Sequence, residues 1–227
     1  MGTRFQAVIL AAGRGERLRP WTDHLPKPLL SVAGRPVIVH HLDALASAGC
    51  ERVFINISHL GDLLPRFLGR QWTGMTLEYS DERSGRLETG GALVALAEQL
   101  GTGFFLLLNG DVLCDYSLIG LWQQAEPGLV LVDNPHWHPQ GDFSICHGRV
   151  HNPRNGNQTF TYGGMAILSG AWLLERAPGV APLTPWLREW AQREWLRAYR
   201  HQGAWFDMGT PERLAWARQS WSAADAI

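Results

Sequence analysis

The alternation of apolar runs with helical patterns along the chain is the feature that most constrains the fold. Apolar runs with the length and composition of buried strands occur at 7–10, 52–57, 76–79, 104–108 and 129–132. Segments with helical apolar spacing separate these runs, at 36–48, 61–68, 89–100 and 117–125. Strands that alternate with helices form a sheet covered by helices on both faces. We therefore predict an α/β fold with a Rossmann-like, mixed but mainly parallel central sheet.

The regular alternation of strands and helices ends at about residue 135. The elements predicted there are a hairpin at 141–152, a returning strand at 162–168, a helix at 185–196, a strand end at 205–207 and a last helix at 211–221. Neither a linker nor an internal repeat divides the chain, and its length suits one large domain. We predict a single domain over 1–227 with a small hairpin insertion.

The composition excludes several classes of function. The chain has twenty basic and twenty-one acidic side chains. It therefore has no excess of positive charge that would attract nucleic acid or an anionic membrane. The cysteines Cys50, Cys114 and Cys146 form no C-x-x-C pair, which favours a reducing compartment. No apolar run approaches the roughly 18 residues of a membrane span. We expect a cytoplasmic protein that binds neither nucleic acid nor a membrane.

Lys27 is the only lysine, whereas the other nineteen basic residues are arginines. Lysine and arginine exchange freely on solvated surfaces, but not where a compact ammonium is required. Pro26 and Pro28 flank Lys27, so we expect it to project from a rigid, extended segment. Mutational bias with one surviving lysine is the alternative, and the surroundings of Lys27 decide between the two.

A glycine-containing turn runs from Leu10 to Arg17, directly after the first predicted strand. Its small residues would let backbone N–H groups approach phosphate oxygens. The turn is not a Walker A loop, and Leu18 stands where a Rossmann fingerprint needs a third glycine. Taken alone, this pattern also fits an ordinary turn.

Two aspartates lie at predicted strand ends. Asp111 follows Asn109 and Gly110, and Asp207 precedes a helix that Thr210 could cap. Carboxylates at such positions can hold Mg²⁺, a hard cation that prefers oxygen ligands. Each aspartate could equally be a turn or capping residue.

Together, Leu10-Ala11-Ala12-Gly13-x-Gly15-x-Arg17 and Pro26-Lys27-Pro28 resemble the signature of the sugar-1-phosphate nucleotidylyltransferases. The resemblance covers essentially the whole chain, from Leu10 to Leu214, and pairs an early aspartate with a late W-x-D-x-G-T aspartate. It implies Mg²⁺ as cofactor, held by Asp111 and Asp207, with Arg17 and Lys27 as catalytic residues. It also implies that 1–134 mainly bind the nucleotide and 135–227 mainly bind the sugar.

The remaining site residues are implied by the same resemblance. Those expected to bind the nucleotide are Leu10, Ala11, Ala12, Gly13, Gly15, Glu82, Thr89, Gly90 and Asn109. Those expected to bind the sugar are Gly141, Asp142, Tyr162 and Gly164. Thr89 could also cap the helix that follows it.

The resemblance implies attack of a sugar 1-phosphate on the α-phosphorus of a nucleoside triphosphate, with loss of pyrophosphate. Within the family, the segments 87–91 and 132–143 are most similar to enzymes that use UTP and N-acetylmuramate α-1-phosphate in cell-wall recycling. The alternatives are mannose-1-phosphate guanylyltransferase and glucose-1-phosphate uridylyl- or thymidylyltransferase activity. A non-catalytic protein that binds nucleotide sugars is a further alternative, although such a protein need not retain Lys27, Asp111 and Asp207.

Two histidine pairs are candidates for metal binding or catalysis, but their positions favour structural roles. His136 and His138 lie in a proline-bounded loop without a convincing third metal ligand. His40 and His41 lie on a predicted helix, where we expect them to pack rather than to act in catalysis.

Overall fold

The computed structural model describes residues 5–83, 85 and 87–221. Strands and helices alternate as predicted, so the mixed α/β fold is confirmed. The chain forms two compact units that interleave along the sequence. Unit 1 falls within 1–86, 107–120 and 203–227, and unit 2 comprises 87–106 and 121–202. A single nucleotidylyltransferase domain over 1–227 stays a prediction.

The secondary structure has the following bounds. The strands are β1 (Phe5–Leu10), β2 (Ser31–Val32), β3 (Arg35–Pro36), β4 (Cys50–Ile57), β5 (Gln71–Trp72), β6 (Met75–Asp81), β7 (Phe104–Asn109), β8 (Val112–Cys114), β9 (Gly128–Val132), β10 (Phe143–Cys146), β11 (Arg149–His151), β12 (Thr159–Ser169), β13 (Arg197–His201) and β14 (Trp205–Asp207). The helices are α1 (Val37–Ser47), α2 (Leu63–Leu68), α3 (Glu88–Ala95), α4 (Ala97–Leu100), α5 (Leu118–Trp122), α6 (Gly170–Leu174), α7 (Thr184–Gln192) and α8 (Pro211–Ser220). Short 3-10 turns cover Glu16–Leu18, Trp21–Asp23 and Lys27–Leu29.

In unit 1, strands β1, β4 and β6 are parallel neighbours. Ala7 lies opposite Val53, which lies opposite Leu77, and all three side chains are buried. Such continuous apolar runs are typical of strands that are covered on both faces. Because parallel strands all end at the same edge, the polar residues after β1, β4 and β6 are brought together there.

A second, smaller pairing in unit 1 joins β8 to β14 in antiparallel register. Leu113 lies opposite Phe206, and both belong to an apolar cluster with Leu18, Val37 and Leu214. This cluster packs the last helix, α8, against the segment that follows the β1 turn. It is therefore the core that holds β14 beside the end of β7.

In unit 2, strand β9 lies between an antiparallel partner, β12, and a parallel partner, β13. The hairpin of β10 and β11 pairs with this group, as predicted for 141–152. The sequence did not predict β13, because Arg197–His201 has no apolar run. Its backbone instead pairs along the fully buried strand β9.

Several predicted helices have different bounds in the structure. The helix predicted over 89–100 is divided at Leu96, and the one predicted over 185–196 ends at Gln192. The helix predicted over 117–125 covers only Leu118–Trp122. Element ends depend on side-chain contacts that periodicity does not contain.

Among the described residues, no helix is both long and apolar enough to cross a membrane.

Candidate active site

The backbone of the turn after β1 is fixed by Asn56, at the end of the neighbouring strand β4. The Oδ1 atom of this buried side chain accepts hydrogen bonds from the N–H groups of Ala11 and Ala12, at 2.6 and 3.3 Å. Its Nδ2 donates to Glu82 Oε1 at 2.8 Å. Glu82 follows β6 and is itself only 4% exposed. Three successive strand ends are thereby joined through one buried amide.

The next N–H groups of the turn are left without acceptors. Within the described chain, the N–H groups of Gly13, Arg14 and Gly15 form no hydrogen bond. Consecutive unpaired N–H groups next to a residue in the left-handed region form a concavity that binds anions. Gly15 has that conformation, with φ 65° and ψ 28°. The turn therefore suits phosphate oxygens in the place where the sequence predicts them.

Gly15 is required by both its conformation and its surroundings. A Cβ atom at this position would lie 2.7 Å from Thr22 Cγ2 and 3.5 Å from Lys27 Cβ. The Thr22 hydroxyl also donates to the carbonyl oxygen of Gly15 at 2.8 Å. A Cβ at Gly13, by contrast, would meet no atom within 4 Å. Close packing thus fixes the second glycine, whereas the first faces open space.

Lys27 lies in a 3-10 turn, so the predicted extended segment is wrong at this residue. Pro26 is extended, with φ −63° and ψ 143°, but the chain turns directly after it, and the N–H of Leu30 donates to the carbonyl oxygen of Lys27. The turn directs the Lys27 side chain inward, where it is 10% exposed and its ammonium pairs with Asp111 Oδ2. The only lysine therefore lies against a predicted metal ligand.

The two predicted metal ligands are neighbours across the small β8–β14 ladder. Asp207 lies opposite Val112, the residue after Asp111. The N–H of Met208 donates to the carbonyl oxygen of Asp111 at 3.0 Å. Two aspartates that are 96 positions apart in the sequence (207 minus 111) are thereby held on adjacent backbones of unit 1.

Two arginines surround Asp207. Arg213, one turn into α8, donates from Nη1 to Asp207 Oδ2 at 2.8 Å, and the N–H of Gly209 donates to Oδ1 at 2.7 Å. A Cβ at Gly209 would lie 2.2 Å from Arg213 Nη2 and 3.0 Å from Arg17 Nη2. The Arg17 guanidinium and the Asp207 carboxylate thus both lie next to Gly209. A side chain at position 209 would displace the guanidinium groups of Arg17 and Arg213.

The helix cap that the sequence allowed at Thr210 is present. Its side chain accepts a hydrogen bond from the N–H of Arg213 at 3.4 Å. The cap positions the first turn of α8, from which Arg213 extends to Asp207. The segment 207–213 therefore both begins α8 and contributes side chains to the candidate site.

His41 in α1 adds no positive charge to this site at neutral pH. Burial lowers the pKa of His41 to about 4, with His40 adding to the effect and Asp111 opposing it. Both imidazoles are buried, as expected for packing residues. Lys27, Arg17 and Arg213 therefore remain the cations beside the two aspartates.

The donor set at Asp111 and Asp207 fits a hard divalent cation. Asp111 is 37% exposed at its side chain, and its Oδ1 forms no hydrogen bond among the described residues. Carboxylate oxygens retain acceptor capacity beyond one hydrogen bond each. Mg²⁺ is typically bound by one or two carboxylates, with water and substrate phosphates as the other ligands. The pair supplies that number and type of protein ligands.

The predicted sugar-binding residues all lie in unit 2, and Gly141, Asp142 and Tyr162 meet around the start of β10. The carboxylate of Asp142 accepts from the backbone N–H of Tyr162 at 2.8 Å and contacts His138 Nε2 at 3.0 Å. Gly141 has φ 59°, and a Cβ there would lie 2.5 Å from Asn134 Oδ1. Gly164 also has a positive φ, of 78°. His138, which sequence reasoning set aside, is thus a partner of a predicted site residue.

Thr89 and Gly90 are engaged within unit 2. The Thr89 hydroxyl accepts from the N–H of Leu183 at 3.0 Å, and α3 begins at Glu88 without a side-chain cap, so the capping interpretation is wrong. The N–H of Gly90 donates to the carbonyl oxygen of Ala181 at 2.8 Å, and a Cβ at Gly90 would lie 2.8 Å from that oxygen. Nucleotide contacts of these two residues stay a prediction.

Sequence reasoning missed three residues that shape the site. Asn56 accepts a hydrogen bond from the turn after β1, and Thr22 donates one to Gly15. Arg213 donates to Asp207. A polar asparagine near the end of an apolar strand was the available signal for Asn56. Glu82, expected to bind the nucleotide, accepts a hydrogen bond from Asn56 at its Oε1, and its nucleotide contact stays a prediction. Asn109 ends β7, next to Gly110, whose N–H donates to the carbonyl oxygen of Leu10 at 2.9 Å.

Comparisons with known proteins identify the family of this chain. Residues 6–128 match the model of the nucleotidyl transferase family. The chain is 40% identical, over 220 residues, to the N-acetylmuramate alpha-1-phosphate uridylyltransferase of Neisseria meningitidis serogroup B, covering 92% of this chain and 95% of that protein. It is 32% identical, over 227 residues, to the mannose-1-phosphate guanylyltransferase catalytic subunit beta of Danio rerio, covering 91% of this chain but only 62% of that relative.

Solved structures share the fold. The UDP-glucose pyrophosphorylase of Acinetobacter baumannii superposes with a TM-score of 0.79 at 19% identity, covering 95% of this chain and 92% of that one. At this identity the likeness concerns the fold alone.

Gly15→Ala is predicted to destabilise the protein, whereas Gly13→Ala is not. At position 15 the new methyl group meets Thr22 and the left-handed conformation, and strained backbone of this kind costs about 1–3 kcal/mol. At position 13 a Cβ has open space. Urea unfolding of both variants measures the difference, and equal unfolding midpoints would contradict the assigned role of Gly15.

Proposed function

Because the chain belongs to the nucleotidyl transferase family, we propose that it transfers a uridylyl group from UTP to N-acetylmuramate α-1-phosphate. The products are UDP-N-acetylmuramate and pyrophosphate. Sugar-1-phosphate nucleotidylyltransferase is the coarser assignment, which the family and the relatives support. The proposal places the enzyme in the cytoplasm, in the recycling of bacterial cell-wall sugars.

One observation carries the chemistry of the proposal. Lys27 pairs with Asp111, and the backbone of Asp111 is bonded to the residue after Asp207, all within unit 1. A non-catalytic nucleotide-sugar binder would have no use for this combination of an inward ammonium and two adjacent carboxylates. The substrate pair is supported by the Neisseria relative, which spans nearly the same length.

The reaction is a displacement at phosphorus that needs no general base. An oxygen of the sugar phosphate, already anionic, forms a bond to the α-phosphorus of UTP, while the bond from that phosphorus to the bridging oxygen of pyrophosphate breaks. Repulsion between anions and the charge of the transition state are the obstacles. Catalysis then consists of positioning and electrostatic stabilisation.

The residues of unit 1 divide this work. The free N–H groups of Gly13, Arg14 and Gly15 would bind the β- and γ-phosphates, and the Arg17 guanidinium would hold the departing pyrophosphate. Lys27 would neutralise the α-phosphate and the incoming phosphate. Asp111 and Asp207 would hold Mg²⁺, which when bound supplies charge neutralisation between the nucleotide and sugar phosphates.

The sugar would be bound by unit 2, through Gly141, Asp142, Tyr162 and Gly164. The Asp142 carboxylate is already oriented by the N–H of Tyr162 and by His138. A carboxylate held in this way can accept hydrogen bonds from sugar hydroxyls without first losing rotational freedom.

A substrate panel tests the proposed function. Pyrophosphate release is measured for UTP, GTP, dTTP and ATP, each with N-acetylmuramate, N-acetylglucosamine, glucose and mannose 1-phosphates. We expect the highest kcat/KM for UTP with N-acetylmuramate α-1-phosphate. Preference for GTP and mannose 1-phosphate would instead favour the activity of the Danio relative, and no turnover with any pair would favour a binding protein.

Lys27→Ala is predicted to lower kcat by about 100-fold or more, the effect of losing one preorganised electrostatic group. The measurement is pyrophosphate release at saturating substrates, with thermal melting to establish that the variant is folded. Arg52→Ala is the matched control, since it also removes one positive charge from unit 1, at the start of β4 and away from the strand ends. A folded Lys27→Ala enzyme with normal turnover would remove Lys27 from the mechanism.

Asp207→Asn is predicted to raise the Mg²⁺ concentration for half-maximal activity at least about tenfold, because the substitution keeps the shape of a ligand but removes its charge. Calorimetric titration with Mg²⁺ provides a readout independent of turnover. Asp62→Asn, an exposed carboxylate paired with Arg83, is the control and should leave both values unchanged. Identical Mg²⁺ titrations of Asp207→Asn and wild type would exclude Asp207 as a ligand.

A further inference from the structure

Arg188, in the middle of α7, is placed directly on the predicted sugar-binding segment of unit 2. Its Nη1 donates to the backbone carbonyl oxygen of Asp142 at 3.3 Å. Its guanidinium lies over the ring of Phe143, with Cζ 5.4 Å from the ring centroid. Phe143 is only 1% exposed, and Arg188 is partly buried. The cation is therefore held at the start of β10, against a rigid aromatic surface.

The charge of Arg188 has no carboxylate partner in the part of the chain that the structure describes. Five of the other six arginines of unit 2 do have one. Their ion pairs are Arg149 and Arg197 with Glu126, Arg176 and Arg193 with Glu189, and Arg200 with Asp133. The remaining arginine of this unit, Arg154, is exposed to solvent. A partly desolvated guanidinium with only a neutral acceptor is thus an exception in unit 2.

The Asp142 carboxylate does not compensate for Arg188. Its two oxygens are engaged by the N–H of Tyr162 and by His138, and the contact with Arg188 involves only the main-chain oxygen. A guanidinium has five N–H donors in a planar fork. One of them is used here, which leaves enough donors for a bidentate contact with an incoming carboxylate.

The backbone of Arg188 is fixed as well. Its carbonyl oxygen accepts from Asn152 Nδ2 at 3.0 Å, which ties α7 to the end of β11. The guanidinium is therefore positioned by its own hydrogen bond, by the Phe143 ring and by an anchored helix turn. Little side-chain freedom remains to be lost when an anion binds, which favours affinity.

From this geometry we infer that Arg188 binds the carboxylate of an acidic sugar and selects such sugars over neutral ones. The inference rests on the proposed function, because it takes Asp142 as a sugar contact. N-acetylmuramate carries a carboxylate on the lactyl ether of its pyranose ring, whereas glucose, mannose and N-acetylglucosamine carry none. A site built to pair with a charged group discriminates strongly against analogues that lack it, because its own charge is then left unpaired.

The test compares N-acetylmuramate 1-phosphate with two analogues that lack only the charge or the lactyl group. These are its lactyl methyl ester and N-acetylglucosamine 1-phosphate. Steady-state pyrophosphate release with UTP and Mg²⁺ gives KM and kcat for each sugar, for wild type and Arg188→Gln. We expect Arg188→Gln to raise KM for the acid about 10- to 100-fold, the scale of losing a charge-assisted bidentate contact. KM for the ester and for N-acetylglucosamine 1-phosphate should change less than about twofold.

Arg193→Gln is the matched control, since Arg193 directly follows α7 and pairs with Glu189 at 2.9 Å. It should leave all three KM values unchanged. Arg188→Lys retains the charge but not the planar fork, so an intermediate rise in KM for the acid alone is expected. The lysine variant also keeps the inference testable if the glutamine variant does not fold.

The outcomes separate the inference from the proposed function. Wild-type synthesis of UDP-N-acetylmuramate together with an unchanged KM of Arg188→Gln for the acid would overturn the role of Arg188 and leave the proposed function intact. Equal increases in KM for the acid and the ester would reduce Arg188 to a structural residue. Wild-type enzyme that uses only neutral sugar phosphates would overturn the proposed function, and the inference with it.

Discussion

The arrangement of the candidate site depends on the pairing of Lys27 with Asp111. The Lys27 side chain is almost fully withdrawn from water, and an ammonium in such a place is costly unless a carboxylate faces it. The pair therefore fixes the 26–29 turn to the end of β7. From Asp111 the connection continues through its carbonyl oxygen to Met208, and so to Asp207. One ion pair thus aligns an early turn and two late strand ends of unit 1.

Each carboxylate of the site faces a cation, and this bears on how the site could accept a triphosphate. Asp111 faces Lys27, and Asp207 faces Arg213, so neither carboxylate is left to repel phosphate oxygens. Arg17 lies beside Gly209 as a further cation. A triphosphate with its divalent cation would exchange partners within an existing set of charges. Such preorganised charge needs little rearrangement at the moment of reaction, which is the main source of electrostatic catalysis.

The parts of the site that are local in sequence could be predicted, and the parts that depend on distant contacts could not. The glycine turn and the strand-end aspartates follow from backbone requirements that single residues reveal. Asn56, by contrast, acts 45 positions away from Ala11, and no periodicity indicates which polar side chain will meet a given N–H group. For Lys27 the flanking prolines suggested an extended chain, but the buried pairing with Asp111 decided its conformation instead. In the same way, β13 exists because β9 offers it a backbone partner, although its own sequence is polar.

Arginine usage in unit 2 separates the support of the fold from the recognition of a ligand. Ion pairs such as Arg200 with Asp133 are exposed, and pairs of this kind contribute little to stability. Arg188 costs more to hold, because it is partly buried and its only hydrogen-bond acceptor among the described residues is neutral. Apart from its contact with the Phe143 ring, folding gives no reason to keep such a charge when a glutamine could make the same bond to Asp142. An anionic substrate does supply a reason, because its carboxylate would pair with Arg188 in the bound state. That pairing would distinguish acidic sugars from neutral ones.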